Sequence, residues 1–392
     1  MADPTLSRSL ARSSVIEAHN LVKPHVHFTP VLTNKTLTNL ASTPRRPEDL
    51  RKTRWEGLTP ARPTLRLWFK CENLQRIGAF KVRGAFHALE RLKMEPGWLE
   101  NGGMEKGVVT HSSGNHAQAL ALAAKELGMP AHIVMPDISP ANKIAGARGY
   151  GAHVTFSGST STERETVADR IRLETGARLV PPYDHPDIIL GQGTLGLEFQ
   201  QQVRDLLGAG YSTEHPTFDS TGQAPASAGC EAGLDAIIAP CGGGGMLSGV
   251  ALSCEGTGIQ VFGAEPEFEG GDDGKRGFET GARIETVNTL SIADGLRTPV
   301  GKIPWSVIYE RRLVKGMYSV TEDEIKAALK LVLERFKLVI EPSAAVPLAV
   351  VLFNEEFRAM VEREAGARGW NLGIVFSGGN MAIDGLMKIF SA

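Results

Sequence analysis

Three stretches of this chain carry residue types whose spacing could do chemistry. The first is Gly242-Gly243-Gly244-Gly245. Four glycines between a strand and a helix leave bare backbone N–H groups that can wrap a phosphate, and the helix dipole adds attraction. The nucleotide versions of such a loop do not fit. A GxGxxG fingerprint finds Leu247 where the third glycine belongs. A P-loop reading of Gly274-Lys275 runs into Arg276, with Glu269 at the opening glycine position. The second stretch is Gly78-Ala79-Phe80-Lys81-Val82-Arg83-Gly84-Ala85. A lysine there is often plain surface charge. A lysine that forms a Schiff base needs a partly desolvated setting that lowers its pKa, and Phe80 suits that cover and could pack on a planar ring. The third is Ser112-Ser113-Gly114-Asn115-His116. Hydroxyls, an amide and free N–H groups at a helix start suit a carboxylate. Capping by Ser113 would explain one of these residues, not five in a row.

The elements that must hold these stretches alternate. Residues 108–110, 131–135, 154–157 and 178–181 read as strands, with helices over 117–127, 140–148 and 162–175 between them. Further strands are predicted at 235–239, 260–264 and 373–376, a helix from Leu247, and helical periodicity over 320–337. This order predicts an α/β fold with parallel sheets covered by helices. Several strands end in polar or glycine-rich turns, the edge where open α/β sheets bind ligands. Residues 43–63, rich in Pro and Arg, and 208–233, rich in Gly, Ser, Thr and Ala, read as loop-like insertions.

Composition narrows the classes. With 392 residues, 42% hydrophobic and 22% charged, the chain can bury the core of a two-lobed globular protein. A net charge of -2 argues against a nucleic-acid binder. No apolar run approaches the roughly 18 residues of a membrane span. The N-terminus lacks an apolar signal core, and Asp3 offsets the faint transit-like pattern of Ser7, Arg8, Ser9, Arg12 and Ser13, so a cytoplasmic location is expected. Cys71, Cys230, Cys241 and Cys254 show no CxxC or zinc spacing and read as reduced thiols. His25 and His27 form an HxH with no third ligand in sight.

In combination and in this order, several motifs resemble the fold-type-II pyridoxal-phosphate enzymes, within them the serine/threonine dehydratase and serine racemase group. They are Phe69-Lys70-Cys71-Glu72-Asn73-Leu74-Gln75 running into Lys81, the Ser112–His116 turn, the glycine tetrad and Ser377-Gly378-Gly379-Asn380. Gly191-Gln192-Gly193-Thr194, Ala293-Asp294-Gly295 and Glu341-Pro342-Ser343 match as well. The resemblance runs from about Thr29 to the C-terminus. It implies a two-lobed fold like that of the tryptophan synthase β subunit, each lobe an open, mainly parallel sheet with helices on both faces. Residues 1–106 and 185–392 would form the large cofactor lobe and 107–184 a small mobile one. The chain ends soon after Ser377, so a C-terminal regulatory domain is not expected.

The resemblance also implies roles. Lys81 would hold pyridoxal phosphate as a Schiff base, with Phe80 against the ring. Gly242, Gly243, Gly244 and Gly245 would hold the phosphate, with Met246 beside them. Asn115 would bond the ring hydroxyl and Ser377 face the pyridine nitrogen. A serine there weakens the electron sink and favours elimination over transamination. Ser112, Ser113, Asn115 and His116 would hold the substrate, with Arg164 and Thr298 near the cleft, and Arg297 or Arg164 could take a second carboxylate. Freed Lys81 would remove the α-proton, and Ser113 would be the acid/base on the opposite face. Glu265, the carbonyl of Gly271 and Asp273 would bind Mg²⁺ or Ca²⁺, in a stretch two residues longer than in animal members. The activity implied is an ammonia-lyase acting on L-serine, L-threonine or a related 3-hydroxy amino acid. Serine or aspartate racemisation is the alternative, and a homodimer is the expected assembly.

Overall fold

The computed structural model describes residues 7–112, 114–139, 141–158, 160–210 and 233–391. Among these residues ten strands form two sheets. They are β1 (Val31–Leu32), β2 (Leu65–Cys71), β3 (Val108–His111), β4 (Ala131–Pro136), β5 (His153–Ser157), β6 (Arg178–Leu179), β7 (Ala236–Pro240), β8 (Gln260–Pro266), β9 (Gly316–Val320) and β10 (Trp370–Phe376). The larger sheet has the order β1-β2-β10-β7-β8-β9 and is parallel except for β1 against β2. The smaller one, β5-β4-β3-β6, is wholly parallel. Strands β2, β7 and β10 are near-continuous apolar runs, buried on both faces, as expected of parallel strands covered by helices. This is the α/β architecture read from the sequence.

Core packing shows how the sheets meet. Val82, Phe86 and Leu89 of the Lys81–Lys93 helix pack with Ala117, Leu120 and Ile133 of the smaller sheet's layer. The opposite side of that helix lies on the Pro186–Gly208 helix, where a Cβ on Gly191 would fall 2.7 Å from the Gly84 Cα. The Lys81–Lys93 helix is thus wedged between the two halves of the molecule.

Some local expectations change. Residues 320–337 split into the end of β9, the helix Glu322–Leu331 and a wider turn Val332–Phe336. Residues 43–63 have loop composition yet are tied down. Leu50 is buried, Arg358 donates to the carbonyls of Thr43 and Ala61 at 2.7 and 3.1 Å, and the Ala61 N–H donates to Glu355 at 2.9 Å. Of 208–233, residues 211–232 lie outside the described chain. Among the described residues no helix is long and apolar enough to cross a membrane.

Candidate active site

Strands β2, β10 and β7 lie side by side, and the chain leaves their carboxyl ends into three of the motifs. The segment Glu72 to Lys81 follows β2, Ser377 to Asn380 follows β10, and the glycine tetrad follows β7. Sheet order therefore gathers residues hundreds of positions apart at one edge. The first two segments are stitched together: the Phe80 N–H donates to the Ser377 carbonyl at 3.0 Å and the Gly379 N–H to the Gly78 carbonyl at 2.9 Å.

Lys81 opens its helix. Its Nζ donates to the Pro182 carbonyl at 2.8 Å and sits 5.3 Å from the centre of the Phe80 ring. Burial lowers its pKa to about 8, against an upward pull from Glu341. This is the desolvated setting that a Schiff-base lysine requires.

The tetrad turns tightly into the Gly245–Cys254 helix. Gly244 has φ +81°, a left-handed conformation that favours glycine. A Cβ on Gly243 would fall 2.3 Å from the Tyr183 ring, and one on Gly242 2.9 Å from the Leu296 Cα. Bare backbone at a helix start is a donor set that fits a phosphate, so the residues present suit pyridoxal phosphate. The same glycines also make room for Tyr183, a residue the sequence reading passed over. Its ring covers Gly243, and its phenol lies beside Thr298, one of the expected substrate residues. Met246 is buried beneath the loop.

The smaller sheet supplies the other wall. The Ser112 N–H donates to the Val134 carbonyl at 3.0 Å, and its Oγ accepts from the Gly114 N–H at 3.3 Å. Ser113 lies outside the described residues. Asn115 Nδ2 donates to Glu341 Oε1 at 2.9 Å, and its Oδ1 accepts from Asn380 Nδ2 at 2.8 Å. His116 is buried under the turn, with Nε2 3.2 Å from the Val180 carbonyl and Nδ1 unpartnered. Burial, with nearby Lys81, lowers its pKa to about 3, so the ring is neutral. Arg164 stands in the first turn of the Ser161–Thr175 helix, fixed by a capping box of Thr160 and Glu163. It acts on His111 at the end of β3, a ring whose pKa is lowered by burial foremost. Arg297 is different. Its guanidinium donates to the carbonyls of Ser291 and Leu290 at 2.7 and 3.3 Å.

Glu341, read from the sequence only as part of a motif, faces this site. It is buried, and its carboxyl is pushed up to about 7 by burial and by Asp294. Its Oε2 has no partner. The one signal for it was an acidic residue just before Pro342 and an apolar helix, which also describes an ordinary helix start. Lys143, likewise missed, is ion-paired with Asp294 and approaches the Gly114 turn.

The acidic stretch holds two buried carboxylates. Glu265 accepts from the N–H groups of Gly274 and Lys275 at 3.0 and 2.8 Å, and Asp273 accepts from that of Val300 at 2.9 Å. Burial and the neighbouring Asp273 raise Glu265 well above the usual carboxylate range. Burial likewise raises Asp273 to about 6. Gly271 is buried in the turn between them. Among the described residues no three His, Cys, Asp or Glu side chains gather at one point. Two carboxylates plus a carbonyl are nonetheless an all-oxygen set that fits a hard cation.

The model for pyridoxal-phosphate dependent enzymes matches residues 52–364. The serine racemase of Arabidopsis thaliana is 37% identical over 381 residues, 97% of this chain and 96% of the relative. The L-threo-3-hydroxyaspartate ammonia-lyase of Saccharomyces cerevisiae is 36% identical over 370 residues, 94% of this chain and 92% of the relative. Among solved structures, maize serine racemase superposes with a TM-score of 0.75 at 34% identity, with 97% of each chain covered.

Proposed function

We propose that this chain, which belongs to the pyridoxal-phosphate dependent enzymes, is an ammonia-lyase that converts L-serine, L-threonine or 3-hydroxyaspartate to a 2-oxo acid and ammonia. The observation that carries this reading is Lys81. Its amine is desolvated, has one carbonyl partner, and stands at the strand edge shared by the glycine tetrad and Ser377.

When bound, pyridoxal phosphate supplies an electron sink for the charge left as the α-proton departs. The tetrad's backbone and the start of the Gly245–Cys254 helix would hold its phosphate. Phe80 would cover the ring, Ser377 would serve the ring nitrogen, and Asn115 the ring hydroxyl. Ser112 and the turn's N–H groups grip the substrate carboxylate. Lys81, poised to lose its own proton near neutral pH, takes the α-proton as general base. Glu265, Asp273 and the Gly271 carbonyl would hold Mg²⁺ or Ca²⁺. Movement of residues 107–184 closes the turn over the site and excludes water. The reading extends to a cytoplasmic homodimer.

Likeness to serine racemases favours a second reading, serine or aspartate racemisation at the same site. Ser113 would then serve as acid/base on the face opposite Lys81. The test is incubation of the cofactor-loaded protein with Mg²⁺ and the L- and D-forms of serine, threonine and 3-hydroxyaspartate. Oxo-acid formation and chiral composition are measured together. Oxo acid as main product supports the lyase; the enantiomer as main product makes it a racemase; neither removes both readings.

A further inference from the structure

We infer that Arg83 is a positioning residue for Lys81, held in place by Glu72 and Glu198. This rests on Lys81 being the cofactor lysine. Lys70, Glu72 and Arg83 are fully buried and Glu198 nearly so. Arg83 makes four bonds of 2.8 Å: Nε and Nη2 to the two oxygens of Glu72, and Nη1 and Nη2 to those of Glu198. Lys70 donates to Glu198 at 2.8 Å and to the Thr29 carbonyl and Gln202 at 2.9 Å. Two cations meet two carboxylates, so the group is charge-balanced. Burial opposes the Glu198 charge, yet Arg83 foremost keeps its carboxyl well below the usual range.

The placement gives this group its purpose. Arg83 is two residues from Lys81, in the first turn of the same helix. Glu72 leaves the end of β2, and Glu198 lies in the Pro186–Gly208 helix. Gly84 and Gly191 let the two helices touch, and the Gly84 N–H donates to Gln192 Oε1 at 3.1 Å. Apolar packing alone would tolerate small slides of one helix over the other. A planar guanidinium gripped on both sides does not, because its forked geometry is matched at one position. Buried ion groups are costly relative to apolar cores and are best accounted for by the register they enforce. The register enforced here is that of the first helical turn, hence of Lys81 Nζ relative to the Pro182 carbonyl.

The test uses the full, cofactor-loaded chain and compares Arg83→Lys with Arg358→Lys. Arg358 is also fully buried, but it bonds the carbonyls of Ala41, Thr43 and Ala61 and no part of the Lys81 helix. Arg83→Lys should lower kcat by about 10- to 100-fold, as a misplacement near 1 Å does, with KM within about twofold. It should also move the pH midpoint of the cofactor's visible absorbance. Arg358→Lys should lower the melting temperature while leaving kcat and that midpoint unchanged. Equal losses of kcat in both variants, or an unmoved midpoint in Arg83→Lys, would overturn the inference. If Arg83→Lys does not fold, Glu72→Gln keeps the partner's shape, and a smaller midpoint shift is expected; no shift overturns the inference. A parent protein without a visible band would instead sink the assignment of Lys81 itself.

Discussion

The charges beneath the first turn of the Lys81 helix and those above it are settled in opposite ways. Beneath, Arg83 and Lys70 meet Glu72 and Glu198, and every charge has an opposite partner within the fold. Above, Lys81 has one carbonyl, Glu341 Oε2 has no partner, and neither has His116 Nδ1. Glu265 and Asp273 accept from backbone N–H groups but have no ion pair among the described residues. Arg276, which eases Asp273, is itself paired with Asp272 at 3.0 Å. The difference separates two uses of burial. Where the chain completes its own electrostatics, the result is a fixed frame. Where it leaves buried polar groups over at the strand edge, the proposed reading has a ligand supply the missing half.

That contrast can be broken from either side. The largest effect should come from Lys81→Ala, which removes the unfinished group at the centre. Turnover should fall by at least about a thousandfold and the cofactor's visible band should vanish, as read by spectrophotometry and oxo-acid assay. Next comes Glu198→Gln, which opens the finished group and leaves an excess buried cation. It should cost about 3 kcal/mol of stability in urea unfolding.

The acid pair should give a smaller, pH-dependent effect. Burial holds Asp273 at about 6, above its ordinary 3.8. The folded chain then keeps a proton that the unfolded chain releases. Its contribution to stability is full below pH 3.8 and is lost as the pH rises through about 6. On the proposed reading a bound cation would take the proton's place. Mg²⁺ should therefore raise the melting temperature in EDTA-stripped protein more at about pH 7 than at about pH 5, and Asp273→Asn should flatten the difference. The smallest effect should be that of Thr298→Val, which removes the hydroxyl beside the Tyr183 phenol. It should lower kcat/KM by roughly fivefold, about 1 kcal/mol.

Much of this was legible in the sequence for a physical reason. Strand ends followed by glycine or polar runs announce an α/β ligand edge, and Lys81, the tetrad and Ser377 lie in the segments that follow three adjacent strands of one sheet. The unforeseen residues act through contacts that no local pattern records. Tyr183 follows two prolines with nothing to mark it, yet its ring lies on Gly243. Glu341 resembles a helix cap, and its role depends on Asn115, more than two hundred residues earlier. The direction of Arg297 was not legible either, because charge in sequence does not show it; its guanidinium donates to the carbonyls of Ser291 and Leu290. Residues 43–63 have loop composition, yet Arg358 and Glu355 anchor them from the far end of the chain.

The most direct test asks which lysine takes the cofactor. Borohydride reduction of the loaded protein, followed by peptide mass mapping, fixes the cofactor to the lysine that holds it. The adduct is expected on the peptide containing Lys81. An adduct on Lys143 or Lys70 in its place, or none at all, would contradict the account.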